Sequence, residues 1–141
     1  MVEFALVLPI FLLLLFGLID IGRYVYTANA LNQAAREGAR FGSVAGWSAS
    51  CAGSRDTCVK RETVNRLAGV VITPSDVEVK CWRYNPAKPS EPWEVSVGQC
   101  RTNDFLSVGL ETTFQVLTPI VGQIIGNGAK VSGYARVAVN Q

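Results

Sequence analysis

An unbroken apolar run occupies residues 4–19, with the acids Glu3 before it and Asp20 after it. A helix over this run would be about 24 Å long, at about 1.5 Å per residue. That length is slightly less than the roughly 30 Å hydrocarbon core of a bilayer. The stretch after Asp20 contains no proline before the glycine- and serine-rich region at residues 42–53. We therefore predict one long helix over residues 2–44, apolar in its first half and amphipathic in its second.

Pro9 lies inside this predicted helix. It removes one backbone hydrogen bond, and its ring opposes the carbonyl group of Ala5, so we expect a kink or local unwinding there. The alternative is a proline that a membrane helix simply tolerates.

The second half of the predicted helix carries a stripe of small residues that recur every four positions: Ala30, Ala34, Gly38 and Gly42. A face without bulky side chains lets another backbone approach closely. The stripe therefore indicates a packing surface, either for helices of other subunits or for the chain's own globular domain. The pattern leaves both interpretations open.

Shorter helical and strand patterns follow the long helix. A second helix is predicted at Thr57–Leu67, capped by Asp56 or Thr57. Four strands are then predicted from alternating or β-favouring residues: Asp76–Trp82, Trp93–Gln99, Phe105–Leu117 and Ala129–Val139. A short apolar helix or turn, Thr118–Gly126, is expected before the last strand. The expected fold is α+β, with a small antiparallel sheet packed on the long helix. This divides the chain into a helix, residues 1–44, and a globular α+β domain, residues 45–141.

The cysteines all follow the apolar run: Cys51, Cys58, Cys81 and Cys100. An even number of cysteines in so small a domain indicates disulfides formed in an oxidising compartment. We favour Cys51–Cys58, which closes a short loop, and Cys81–Cys100, which would need a skewed strand register or an intervening strand. A zinc site is disfavoured because the chain has no histidine and no Cys-x-x-Cys spacing.

The composition offers little catalytic chemistry. The sequence has no histidine, which excludes Ser-His-Asp and Cys-His nucleophile systems, and it lacks the Gly-rich phosphate-binding motifs. The formal net charge of +2 comes from scattered residues, without the basic patch of a nucleic-acid-binding protein. We therefore predict no enzyme activity, no cofactor, no metal and no nucleic-acid partner.

The basic residues near the apolar run lie on its C-terminal side: Arg23, Arg36 and Arg40. If the cysteine-containing domain is outside the cell, this arrangement opposes the positive-inside rule. We therefore expect that a basic leader preceded residue 1 and was removed. The apolar run itself is expected to be kept, because no small-x-small cleavage site follows it.

A family resemblance rests on Glu3-Phe4-Ala5, Leu8-Pro9, the apolar run and the segment RYVYTANALNQAAREGAR. With these features, residues 2–43 resemble the TadE-like pseudopilins of bacterial tight-adherence (Flp-type) type IV pilus systems. The resemblance implies a precursor whose short basic leader is removed by a prepilin peptidase. In such proteins the glutamate is typically the fifth mature residue, whereas here it is the third, after Met1-Val2.

Several residues of the helix are predicted to act in assembly. A carboxylate at the position of Glu3 is unfavourable in lipid unless it is paired. We expect it to pair with the N-terminal amine of a neighbouring subunit or, alternatively, to lie hydrated at the membrane boundary. Asp20 and Arg23 can pair on one helix face and help subunits fit together. The full predicted interface is Glu3, Phe4, Pro9, Asp20, Arg23, Ala30, Ala34, Gly38 and Gly42.

The function implied by the resemblance is that of a structural pilin or pseudopilin. Its helix would form the core of a helical filament, while the disulfide-bonded domain coats the outside and supports adhesion. Its partners would be copies of itself, other pilins and the bacterial inner membrane before assembly, and its final location would be the cell surface. The main alternative is a membrane-anchored module that binds carbohydrate or protein through Trp47 and Trp93; an anchored enzyme is the least favoured.

Overall fold

A computed structural model describes residues 2–44, 51–118 and 128–140, with the backbone alone for residues 2, 3 and 5. Within these ranges the chain forms two α-helices and one four-stranded sheet. The elements are α1 (Val2–Ser43), α2 (Arg55–Asn65), β1 (Val77–Arg83), β2 (Trp93–Val95), β3 (Phe105–Phe114) and β4 (Ala129–Ala138). The predicted α+β class, with one long apolar helix and a small antiparallel sheet, is confirmed.

The sheet is antiparallel throughout and has the strand order β2-β1-β3-β4. Val79 of β1 pairs with Val108 of β3, which in turn pairs with Ala135 of β4, and all three are buried. One position along, Glu78 and Tyr134 are exposed. Because successive residues of a strand point to opposite sides, the sheet has a core face and a solvent face.

The core lies between the core face of the sheet and the second half of α1, with α2 packed against both. Its most deeply buried large side chains include Leu31 of α1, Val59 of α2 and Leu106 of β3. Fully burying an aliphatic side chain of this size contributes about 1.5–3 kcal/mol. This layer therefore holds the helix and the sheet together.

Gly133 allows α1 to cross β4 at very short range. A Cβ atom at this position would lie 2.5 Å from the carbonyl carbon of Leu31 and 2.7 Å from its Cβ. The side-chain oxygen of Asn32 also accepts a hydrogen bond of 3.3 Å from the backbone N–H of Tyr134. The crossing is thus fixed by both a close apolar contact and a polar one.

The predicted elements are present, but some of their ends differ. β3 ends at Phe114 rather than at Leu117. α2 begins at Arg55, and its N-cap is Ser54 rather than Asp56 or Thr57, because the Ser54 hydroxyl accepts a hydrogen bond of 3.3 Å from the N–H of Thr57. Asp56 lies in the first turn instead and pairs with Lys60 at 3.0 Å.

Both predicted disulfides, Cys51–Cys58 and Cys81–Cys100, are present. The predicted need for a skewed register or an intervening strand was wrong, because β2 pairs directly with β1, with Val95 opposite Cys81, and ends there. A 3-10 turn at Val97–Gln99 then brings the chain back, so that the Cα atoms of Cys81 and Cys100 are 5.9 Å apart. The predicted strand Trp93–Gln99 is thus a short strand followed by a turn.

Two predictions concern residues outside the described ranges. Trp47 lies in the interval 45–50, and all of the predicted apolar element Thr118–Gly126 except Thr118 lies in the interval 119–127.

Candidate functional site

The first half of α1 is an apolar helix that the domain leaves uncovered. Its large apolar side chains from Phe4 to Ile21 are 38–71% exposed. Among the described residues, α1 is the one helix long and apolar enough to cross a membrane. We call residues 4–26 the exposed half of α1 and residues 27–43 its buried half. So large an apolar surface requires a lipid or protein environment.

The buried half of α1 carries the small stripe, and the stripe faces the chain's own domain. Ala34 is fully buried and Ala30 partly so. Gly38 lies directly against the side chain of Thr63 in α2. At Gly42, a Cβ atom would come within 2.5 Å of methyl groups of Leu106 and Val59. These contacts support the interpretation that the stripe seats the domain on the helix.

Asp20 is the one buried residue in the described part of the exposed half, with 5% of its surface accessible. Its carboxylate accepts hydrogen bonds from the segment that follows β3: from the N–H of Leu117 at 3.1 Å, and from the N–H and hydroxyl of Thr118 at 2.9 Å and 2.7 Å. The Nη1 atom of Arg23 is 3.6 Å from the same carboxylate. Hydrogen bonds to an ionised acceptor are stronger than neutral ones. Asp20 therefore fastens the domain to α1 where the apolar run ends.

Aromatic and cationic side chains surround this junction. The ring of Tyr24 packs edge-on against Phe114 of β3, with 5.7 Å between the ring centroids, and the guanidinium of Arg23 lies 5.5 Å from the centroid of Phe114. The hydroxyl of Tyr26 donates a hydrogen bond of 3.0 Å to the carbonyl of Ala68. Tyrosines with an apolar body and a polar tip are typical of the membrane–water boundary. The junction therefore has the composition of a helix segment leaving a membrane.

Residues 1–40 match the family model of TadE-like proteins. The match confirms the resemblance carried by the apolar run, and it extends through most of the buried half of α1. Similarity to this family suggests a protein associated with tight-adherence pili. No curated protein and no solved structure matches the chain.

Within the TadE-like segment, the residues predicted for assembly have different surroundings. Phe4 is 71% exposed and therefore available to a partner. The side chain of Glu3 is outside the described set, so its pairing stays a prediction. α1 continues without interruption through Pro9, so the helix tolerates this proline and the expected local unwinding does not occur. Asp20 and Arg23 do pair, but on a helix face that contacts their own domain.

A second buried carboxylate, that of Asp104, lies at the end of the sheet where β3 begins. It accepts hydrogen bonds from Nε and Nη2 of Arg83 at 3.1 Å and 2.9 Å, and from the N–H of Arg101 at 2.8 Å. Burial raises the pKa of Asp104, but the bonds from Arg83 and Arg101 and their positive charges outweigh it, so that its pKa is below the ordinary value. The ionised form of Asp104 therefore stabilises the fold.

Asp104 also lies close to Cys81 and Cys100, and together they form a compact group of residue types that bind metals. The two sulfur atoms are bonded to each other. Zinc binding by cysteine requires thiolates, and a disulfide supplies none. In its oxidised form this group is a structural staple next to an ion pair.

The sequence predicts the partners of Asp104 better than those of Asp20. Asp20 stands out as the acid that closes the apolar run, but its donors are 97 and 98 positions away in the chain, and no local pattern announces them. Asp104 has a local signal, because it accepts a hydrogen bond from the N–H three positions earlier, in a turn where Asn103 has a positive φ of 72°. Asn and Asp are favoured in such turns.

Proposed function

We propose that this chain is a pilin or pseudopilin: a structural subunit of a bacterial tight-adherence pilus. In this proposal, α1 forms the filament core, and the globular domain forms the filament surface and supports adhesion. The observation that carries the proposal is the exposed half of α1. Its residues 6–16 are exposed without a break, and since consecutive helical positions point in all directions, every side of the helix there is bare.

Two environments suit a helix that is bare and apolar on all sides. A bilayer covers it with lipid, and its length approaches the roughly 30 Å of hydrocarbon that a span requires. A bundle of identical helices covers it with protein instead. When such copies associate head to tail and the rotation between them does not close, the product is an open filament. The same surface thus supports membrane storage first and filament assembly afterwards.

The residues predicted for assembly divide into direct and indirect contributors. Glu3, Phe4 and Pro9 belong to the part of α1 that projects from the domain, and we assign them to contacts with neighbouring subunits. The Asp20–Arg23 pair and the small stripe of Ala30, Ala34, Gly38 and Gly42 contact their own domain. We propose that this second set acts by fixing the orientation of the domain on α1.

In this proposal, processing and membrane anchoring come before assembly. The chain would be processed by a prepilin peptidase, held in the inner membrane through α1, and then associated with copies of itself and with other pilins at the cell surface.

We retain the proposed boundary between a helix at residues 1–44 and a domain at residues 45–141. The buried half of α1 nevertheless contributes core residues to that domain, since Leu31, Ala35 and Ala39 are fully buried.

Negative-stain microscopy of material sheared from the surface of cells that produce this chain tests the proposal. We expect filaments that bind an antibody raised against the globular domain. A chain found only in the membrane fraction, and extracted by detergent as a monomer, would contradict a filament role. That result would favour the alternative function, a membrane-anchored binding module.

Substitution of Glu3 tests the assembly role within the same experiment. Glu3→Gln and Glu3→Ala should strongly reduce the yield of sheared filaments while membrane insertion is unchanged, because both remove the charge that would pair with a neighbouring amine. Glu37→Gln, on the buried half of the same helix, is the matched control and should assemble normally. If both Glu3 variants polymerise at the wild-type level, Glu3 is only an interfacial charge.

A further inference from the structure

A shallow groove crosses the solvent face of the sheet at the end farthest from the exposed half of α1. Tyr84, Phe105, Arg136 and the proline-rich loop at residues 89–92 line it, and its volume is about 490 Å³. β3 begins at this groove with Phe105, whereas its other end, Phe114, contacts Tyr24 near the end of the apolar run. A subunit held by α1 therefore presents this groove on its distal surface.

Arg136 gives the groove a cationic side chain whose position is set by an aromatic ring. The central carbon of its guanidinium lies 4.4 Å from the centroid of Phe105, and such stacking orients the planar group. None of the ion pairs within the described ranges involves Arg136. The nearby loop acid Glu91 is paired with Lys88 at 3.0 Å. The exposed guanidinium thus pairs with no carboxylate of the described residues, and its planar fork can bind a ligand carboxylate through two parallel hydrogen bonds.

The rest of the groove offers flat apolar faces with a few hydroxyl groups. Tyr84 is 57% exposed, and Phe105, under the guanidinium, is 36% exposed. Ser90 adds a hydroxyl at the rim. A sugar ring presents an apolar C–H face surrounded by hydroxyl groups, which matches an exposed tyrosine ring with hydroxyls nearby. A uronic acid adds the carboxylate that the guanidinium can take.

We propose that this groove binds acidic saccharides, with the carboxylate of a uronate unit on Arg136 and its ring packed on Tyr84. An acidic peptide is the less suitable ligand, because extended peptides typically bind along a free strand edge, and this groove lies on the face of the sheet. The inference does not depend on the filament proposal. The distal surface is displayed equally by a pilus subunit and by a singly anchored module.

The test is an isothermal calorimetric titration of the purified full chain in detergent. The three probes have matched length: tetragalacturonate, maltotetraose and tetraglutamate. We expect binding of tetragalacturonate, weakened by added salt, and much weaker binding of the other two. Arg136→Gln should lower the affinity about tenfold or more, since it removes a charge-assisted bidentate pair. Tyr84→Ala should have a similar effect, because it removes the ring on which the sugar packs. Arg136→Lys should recover only part of it, because lysine lacks the planar fork.

Two variants on the same face of β4 serve as matched controls. Lys130→Gln removes a cation from the other end of the strand, and Tyr134→Ala removes an exposed aromatic ring that does not line the groove. Both should bind tetragalacturonate as the wild type does. Equal affinity for tetraglutamate or maltotetraose would overturn the proposal, as would unchanged affinity in Arg136→Gln. Melting temperatures of all variants, which alter exposed side chains, establish that each is folded.

Discussion

The two halves of α1 share one continuous helix but have opposite surroundings. The exposed half carries large apolar side chains, most of which no described part of the domain covers, whereas the buried half carries alanine and glycine where the sheet and α2 approach. Large side chains thus occur where the helix is exposed, and small ones occur where side chains of α2 and β3 pack closely against it. The size of the side chains along a helix of this type indicates which half belongs to the domain.

Glycines make this difference measurable, because each half contains two of them. Among the residues that the structure describes, none comes within 4 Å of a Cβ atom added at Gly17 or Gly22, while one added at Gly38 or Gly42 would collide with side chains of α2 or β3. One type of substitution can therefore be made in both surroundings.

Gly42→Leu should have the largest effect. Its side chain would collide with Leu106 and Val59, and overpacking of a close contact typically costs about 1–3 kcal/mol or more. We expect a clearly lower thermal midpoint for the domain, measured by near-UV circular dichroism of the full chain in detergent. Gly38→Leu should behave alike because it meets Thr63. If both variants melt as the wild type does but fail to assemble, the stripe faces other subunits instead.

Gly17→Leu sharpens the comparison from the other side. The domain should melt at the wild-type temperature, since an added Cβ atom would meet no atom of the described residues within 4 Å and leucine is the better helix former by up to about 1 kcal/mol. If neighbouring subunits pack against this position, the yield of sheared filaments should fall. Gly22→Leu is the companion variant. A drop in melting temperature for either would show that the exposed half contributes to the domain.

The features that the sequence predicts well are those with a local pattern along the chain. α1, the strands and the disulfide pairs depend on local apolar periodicity and on cysteine spacing, and these patterns are visible along the chain. The ends of elements depend on single contacts that periodicity does not contain. Ser54 caps α2 because its hydroxyl reaches the Thr57 N–H, and β2 stops at Val95 because a 3-10 turn follows.

The candidate site is predicted less completely, for a related reason. A stripe of small residues shows that something packs closely on α1, but its partners Thr63, Val59 and Leu106 lie in other elements. Likewise Asp20 is conspicuous beside the apolar run, while Thr118 is far away in the chain. Residue spacing identifies the surface, and only the tertiary fold identifies what covers it.

Asp20→Asn tests the junction between the two halves. Asparagine keeps the size of the side chain but loses the charge that strengthens the hydrogen bonds from Leu117 and Thr118. We expect amide hydrogen exchange at these two residues to become about tenfold faster, with little change at Val108 in the core. Asp56→Asn, in a partly exposed pair with Lys60, is the control and should leave exchange at the junction unchanged. Unaltered protection at Leu117 and Thr118 would contradict the fastening role.

Acid should lower the stability of the domain without unfolding the exposed half of α1. Because the folded-state pKa of Asp104 is below its ordinary value of 3.8, its ionised form stabilises the fold fully above that value. The contribution is lost as the pH falls through the lowered pKa. We expect the thermal midpoint of the domain to decrease below about pH 4, while the exposed half of α1 stays helical in detergent.

Asp104→Asn identifies the source of that decrease. It removes the titrating group next to Arg83 and should flatten the pH dependence. It should also lower stability at neutral pH by about 1–3 kcal/mol, because the two hydrogen bonds from the Arg83 guanidinium lose their charged acceptor. A residual slope is expected from Asp76, because hydrogen bonds from Thr73 lower its pKa as well. The measurement is a series of thermal melts between about pH 2 and pH 6. An unchanged slope in the variant would mean that other carboxylates carry the acid sensitivity, and the ion pair at the distal end would then be only a local contact.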